Sequence, residues 1–215
     1  MKLLITGTSR GIGKYLASQY LARGHTVYGI SRTSPDLQGD YTHIFEDLTD
    51  FDKIRIPKGI DVLINNAGRA SMNHALLTPT ETIRQIMDLN YTATFVMCRE
   101  AAKRKVKRII NFSTIAVPLN LEGEAAYASS KAAVEQLTKI LAREFAEFGI
   151  TVNAVGPSLI KTALTDRVPK KKLQAIINRQ AKKRWADMGD VFQVVDFFIN
   201  ASDMVTGQTI YLGGL

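Results

Sequence analysis

Leu3-Leu4-Ile5-Thr6-Gly7-Thr8-Ser9-Arg10-Gly11-Ile12-Gly13 reads as an apolar strand running into three glycines, followed by a helix-like stretch over 14–23. A strand that ends in glycines and opens a helix can cradle a phosphate. Glycine lets the backbone turn tightly and approach an anion, and the unpaired N–H groups of a helix N-terminus point at it. The spacing is G-x-x-x-G-x-G, not the commoner G-x-G-x-x-G. Alone it also fits an ordinary strand–turn–helix junction, so the rest of the chain decides its meaning.

Outward from this loop, extended and helical patterns alternate to the C-terminus. Strands are expected at 2–6, 26–30, 43–45, 62–65, 108–112, 151–155 and 209–212. Several are short, nearly continuous apolar runs, as strands buried on both faces are. Helices are expected at 11–23, 80–105, 125–148, 170–184 and 190–200. Between Asp47 and Gly59 at most a turn or two fits, because Pro57 and Gly59 close the stretch. Alternating strands and helices make right-handed βαβ units, hence an α/β, doubly wound, Rossmann-type fold. Its ligands belong in the crevice beyond the carboxyl ends of the strands. No repeat, low-complexity tract or linker interrupts the pattern, so residues 1–215 are expected to form one domain.

The composition, 46% hydrophobic and 22% charged over 215 residues, is that of a soluble globular protein. No apolar stretch approaches the ~20 residues of a membrane span. Met1-Lys2 runs straight into the first strand, leaving no room for a signal peptide, and the cytoplasm is the expected compartment. The single cysteine, Cys98, has no internal disulfide partner and reads as core packing. His25, His43 and His74 have no ligand spacing, so no metal site is expected. The net charge of +8 arises from clusters such as Lys103-Arg104-Lys105, Lys170-Lys171-Lys172 and Lys182-Lys183-Arg184, and favours anionic small molecules. Nucleic acid is disfavoured, because the basic clusters lack interleaved aromatics and a reader motif.

Four further features fall where the crevice should be. Asn65-Asn66-Ala67-Gly68 ends the fourth strand, Asn90 lies within a helix, Ser113-Thr114 ends the fifth strand, and Tyr127-Ala128-Ser129-Ser130-Lys131 opens the next helix. A Tyr-x-x-x-Lys match alone is weak, since about half a match is expected by chance. Its place at a helix start, after a strand ending in two hydroxyl residues, makes it informative.

With the glycine loop, Val152-Asn153-Ala154-Val155-Gly156-Pro157 and Thr206-Gly207-Gln208, these motifs occur in the order found in the short-chain dehydrogenase/reductase family. The chain resembles its compact single-domain branch nearly end to end. The resemblance implies a three-layer sandwich around a seven-stranded, mostly parallel sheet and nicotinamide-dependent interconversion of a carbonyl and an alcohol. It also implies a homodimer or homotetramer pairing the long helices over 91–105 and 127–148.

Hydride transfer to a carbonyl creates an alkoxide that must be stabilised and protonated as it forms. A phenol needs roughly 4 kcal/mol to bring its pKa from about 10 to about 7. Lys131, one turn from Tyr127, is expected to contribute positive charge, along with that of the nicotinamide, and to hold the ribose hydroxyls. Tyr127 is then the acid in reduction and the base in oxidation. The family usually has serine thirteen residues before the tyrosine. Here that position is Thr114, with Ser113 the alternative substrate-orienting hydroxyl. A threonine methyl narrows the pocket and stiffens χ1. Asn90 matches the asparagine that holds a water near the lysine.

Cofactor contacts are expected from Gly7, Ser9, Arg10, Gly11, Ile12 and Gly13 in the loop, and from Asn66, Ala67, Gly68, Tyr127, Lys131, Pro157, Ile160 and Thr162. Asp47 and Leu48 resemble the family's residues beside the adenine, although Asp47 serves equally as a turn residue. The second strand ends in Ser31-Arg32 with no acid at its tip. Arg10 and Arg32, with the Ser31 hydroxyl, suit a ribose 2′-phosphate, so NADP(H) is favoured over NAD(H). A basic substrate lid is expected over about 158–186, fitting an anionic or carrier-bound substrate. Reduction of a 3-oxoacyl thioester is the leading expectation. A sugar or polyketide keto-reductase is the alternative, and an NADP(H)-sensing regulator without turnover is the alternative of another class.

Overall fold

The computed structural model describes residues 1–161 and 169–214. The strands are β1 (Lys2–Thr6), β2 (Thr26–Ser31), β3 (Tyr41–Phe45), β4 (Val62–Asn65), β5 (Arg108–Phe112), β6 (Thr151–Gly156) and β7 (Thr209–Tyr211). They form a seven-stranded sheet in the order β3-β2-β1-β4-β5-β6-β7, and every neighbouring pair is parallel. All carboxyl ends therefore share one edge. The strand order reverses between β1 and β4, and a doubly wound sheet opens its ligand crevice there.

The helices are α1 (Gly11–Ala22), α2 (Thr80–Met87), α3 (Ala93–Lys103), α4 (Ala116–Leu119), α5 (Ala125–Glu144), α6 (Lys170–Asn178) and α7 (Met188–Asn200). Successive strand residues point to opposite faces, and both faces are covered. Leu3, Ile5 and Ile64 pack with Leu16 and Tyr20 of α1 and Val191 and Phe198 of α7. Leu4, Leu63 and Ile109 pack with Met97 and Cys98 of α3 and Leu137 and Leu141 of α5. This two-sided burial explains why the strands read as continuous apolar runs. No helix among the described residues is long and apolar enough to cross a membrane.

Four expected helices differ in extent. The stretch 80–105 is divided by a π-helical turn, Asp88–Thr92, which carries Asn90. The stretch 125–148 ends as α-helix at Glu144 and closes with a 3₁₀ turn and Gly149 in the left-handed region. The stretch 170–184 stops at Asn178, because the N–H groups of Ala181 and Lys182 pair with the carbonyls of Gly214 and Gly213. The last helix starts earlier, at Met188, behind a capping box of Asp187 and Asp190. Between Asp47 and Gly59 there is no helix at all: Ile54 and Ile56 are buried from an irregular segment.

Candidate active site

The glycine loop is stitched to the end of β4. Asn66 donates its side-chain amide to the carbonyls of Thr6 (3.0 Å) and Gly7 (3.3 Å), and the Ala67 N–H donates to the Thr6 hydroxyl (2.9 Å). A Cβ on Gly13 would collide with the Gly7 carbonyl and the Asn66 amide, so that glycine serves close packing. Gly11 differs: its φ is +58°, and a Cβ there would meet nothing within 4 Å. The open face of the turn lies at the head of α1, where Arg10 is the N-cap and supplies no side-chain capping bond. The first-turn N–H groups of α1 thus face a cradle suited to a pyrophosphate, and the loop fits the dinucleotide that its sequence implies.

At the tip of β2, Ser31 departs from expectation. It is buried, and its hydroxyl donates inward to the Thr33 carbonyl (2.9 Å) instead of standing free for a phosphate. The strand's last side chain points into the layer beneath it, toward Thr8. Arg32 is exposed, with a guanidinium nitrogen 3.7 Å from Asp47. Asp47 accepts bonds from the N–H (3.0 Å) and hydroxyl (2.7 Å) of Thr49, which hold its carboxyl below the usual range, with Arg32 a lesser contributor. Asp47 is thus a turn residue that also anchors Arg32, while the following Leu48 is buried in the core.

At the ends of β5 and β6, adjacent side chains part company. The Ser113 hydroxyl turns to α5 and donates to Glu135, which also accepts from the Tyr211 phenol. The Tyr211 ring lies over Gly156 where a Cβ would stand, and burial first, then the Glu135 carboxylate, pushes its pKa up. The Thr114 hydroxyl instead accepts from the Ala116 N–H (3.2 Å) and lies close enough to the Tyr127 phenol to lower its pKa. The position aligned with the expected serine, and not its neighbour, therefore adjoins the tyrosine.

Burial raises the Tyr127 pKa to about 12, opposed by the Thr114 bond and aided by the nearby Glu124 carboxyl. Burial likewise lowers Lys131 to about 8, with its ammonium donating to the Phe112 carbonyl at 2.8 Å. Burial thus holds the phenol above its ordinary value, while the expectation of about 7 counted the nicotinamide's charge together with that of the lysine. Desolvation is the largest cause, and the tyrosine is held in its protonated form.

Asn90 is fully buried in the π-turn, a device that re-aims a side chain within a helix. Its amide clasps the backbone of Arg69, accepting from the N–H (2.8 Å) and donating to the carbonyl (2.9 Å). It also donates to the Ser130 hydroxyl (2.9 Å), which donates to the Tyr127 carbonyl (2.7 Å). These bonds fix the Asn90 side chain between the loop after β4 and the head of α5. A Cβ on Gly68 would stand 3.3 Å from the Asn90 oxygen and 3.4 Å from the Lys131 ammonium, so the loop after β4 meets both residues here.

Of the remaining expected residues, Ser9 and Ile12 lie partly buried in the loop, and the Pro157 carbonyl accepts from the Ile115 N–H (3.2 Å). Ser158 is buried and donates to Gln180 beyond α6 (2.7 Å). Ile160 forms a bridge with Ala186, tying the two ends of the expected lid together. Thr162 and the lid residues up to 168 lie outside the described residues.

Glu124 was not expected in the site, and Lys172 was expected only as part of the basic lid. Glu124 is the N-cap of α5, only 7% exposed, and burial raises its pKa to about 7. Lys172 of α6 donates to the Glu122 carbonyl beside it. The signal was present in the spacing, a carboxylate one turn before Tyr127, but a carboxylate at a helix start is ordinarily a capping residue.

Residues 45–214 match a family model described as enoyl-(acyl carrier protein) reductase. The chain is 34% identical to the 3-oxoacyl-[acyl-carrier-protein] reductase FabG of Rickettsia bellii, covering 98% of this chain and 94% of that protein. It is 30% identical to nodulation protein G of a Rhizobium species, over 99% and 95% of the two chains. Among solved structures, 4-hydroxyisoleucine dehydrogenase complexed with NADH superposes with a TM-score of 0.87 at 26% identity, covering 99% of this chain and 97% of that one. The chain belongs to the short-chain dehydrogenase/reductase family, whose members are oxidoreductases acting on the C=O/CH–OH pair.

Proposed function

We propose that the chain reduces a ketone to an alcohol with NADPH, with Tyr127 as proton donor and Thr114 as the residue that orients the carbonyl. The observation carrying this reading is the grouping of Thr114, Tyr127 and Lys131 at the end of β5, where Lys131 donates to the Phe112 carbonyl (2.8 Å) and Thr114 acts on the Tyr127 phenol. A nicotinamide bound beyond the glycine loop supplies the hydride. As charge gathers on the carbonyl oxygen, two hydroxyl donors address it, and the phenol carries the proton that the product alcohol needs. Lys131, anchored on Phe112, is the cation of the group. A phenol held near 12 is protonated across the working range, so the proton that the product alcohol needs is in place.

Arg10, Arg32 and the lack of an acid at the tip of β2 support NADPH over NADH. Asp47, by pairing with Arg32, keeps that guanidinium beside the strand ends. The substrate class is a 3-oxoacyl thioester, supported by the relatives and by Lys170, Lys171 and Lys172 at the head of α6, which suit an anionic carrier. Copies of the chain would pair through the outer faces of α3 and α5, where Phe95 and Ile140 are partly exposed.

NADPH oxidation with a panel of 3-oxobutanoyl thioesters, sugar ketones and quinones tests this reading. Thioester turnover well above that of the other classes is expected. Turnover of sugar ketones without thioesters would replace the substrate class.

A further inference from the structure

Glu124 is a buried acid with no structural account. It stands at the N-cap of α5, 7% exposed, yet makes no side-chain capping bond. One of its oxygens, Oε2, is fully buried and has no hydrogen-bond partner among the described residues. Leaving a carboxylate oxygen unpaired away from water is unfavourable, and such groups in a fold are exceptions that call for a reason.

Its surroundings supply one. The carboxyl acts electrostatically on the Tyr127 phenol, one turn further along the helix, and on the Lys172 ammonium of α6. The backbone leading to it is clamped from two sides. Gly123 accepts from the Asn73 N–H (3.0 Å) in the loop after β4, and Glu122 accepts from Lys172. A Cβ on Gly123 would stand 3.2 Å from the Lys172 nitrogen and 3.8 Å from Met72. The acid thus sits at the junction of the β4 loop, the head of the catalytic helix and α6.

We propose that Glu124 determines substrate specificity by accepting a hydrogen bond from a donor that the substrate carries a short arm away from its reacting carbonyl. This rests on the 3-oxoacyl thioester reading above. In a thioester carried on a pantetheine-like arm, the donor is the amide N–H nearest the sulfur. Glu124 precedes Tyr127 by three residues, about 4.5 Å of helix rise, a span that such an arm covers with slack. A donor entering here satisfies the orphaned oxygen, whereas an arm without one leaves it unpaired. Discrimination by leaving a buried polar group unsatisfied is the strong kind. Lys172, which donates to the Glu122 carbonyl, sets a cation beside the carboxyl.

The test compares two 3-oxobutanoyl thioesters of similar length, one of N-acetylcysteamine, with its amide N–H, and one of butanethiol, without it. A plain cyclic ketone serves as the control, and NADPH binding reports that each variant is folded. The wild-type protein is expected to prefer the amide-bearing thioester at least tenfold in kcat/KM. Glu124→Leu is expected to bring that ratio near one, mainly through KM, whereas Glu124→Gln, whose amide oxygen still accepts, retains most of it. Equal kcat/KM for both thioesters in the wild type, or an undiminished ratio in Glu124→Leu, overturns the inference and leaves the substrate class standing. Turnover of the plain ketone with neither thioester accepted overturns the substrate class, and the inference falls with it.

Discussion

Burial moves Tyr127 and Lys131, one turn apart on α5, in opposite directions: the phenol rises to about 12 while the ammonium falls to about 8. Reduction needs the phenol protonated and the lysine charged. The first condition holds across the working range, and the second is lost as pH rises past about 8. At saturating NADPH, kcat/KM for reduction is therefore expected to stay level below that pH and to fall about tenfold per unit above it. A profile flat to about pH 10 contradicts the assignment of Lys131.

Thr114 and Ser113, though adjacent, should respond differently to truncation. Thr114→Ala removes the hydroxyl beside Tyr127 and is expected to lower kcat by about 10²–10³, with little change in urea stability. Ser113→Ala removes a donor to Glu135 and is expected to cost about 1–2 kcal/mol of stability, with the smaller effect on kcat. Reversed effects in kinetics and urea melts would reassign the orienting hydroxyl to Ser113.

Cofactor choice rests on the tip of β2. Arg32→Asp places an acid where a 2′-phosphate would lie and leaves two acids facing each other, since Asp47 is Arg32's partner. The Kd for NADPH is expected to rise at least tenfold more than that for NADH, measured by fluorescence titration. Equal losses for both cofactors contradict a 2′-phosphate role.

Glu124 should tie stability to pH. Its pKa is 4.5 unperturbed and about 7 in the fold. Between those values the folded state keeps a proton that the unfolded chain releases, so stability falls as pH rises through that window and stays low above it. The difference is about 1–3 kcal/mol, the upper figure being the full shift and the lower allowing for solvent screening. Relative to the wild type, Glu124→Gln is expected to gain stability between about pH 5 and 8 in urea melts. Parallel curves for the two proteins would show that the carboxyl titrates normally.

Much of the fold could be read from local pattern. The βαβ alternation, the glycine loop and the strand cores were legible because strands buried on both faces leave continuous apolar runs. The π-turn at Asn90 was not, since helical periodicity barely registers one inserted residue. Nor was the early end of α6, set by pairing of Ala181 and Lys182 with residues more than thirty positions away. In the site, the motif order that carries the family resemblance singled out Tyr127, Lys131 and Thr114 as candidates. It could not foresee that Ser31 turns inward, that Asp47 pairs with Arg32, or that Glu124 is buried, because each depends on packing between distant segments.

The central claim is that the Tyr127 phenol protonates the alkoxide formed in reduction. Tyr127→Phe keeps the ring and removes only the hydroxyl. Turnover of the best substrate with NADPH, measured beside NADPH binding, tests the claim most directly. A loss of at least about 10³-fold in kcat is expected, with cofactor affinity within a few-fold of the wild type. Turnover at the wild-type rate in Tyr127→Phe would contradict it.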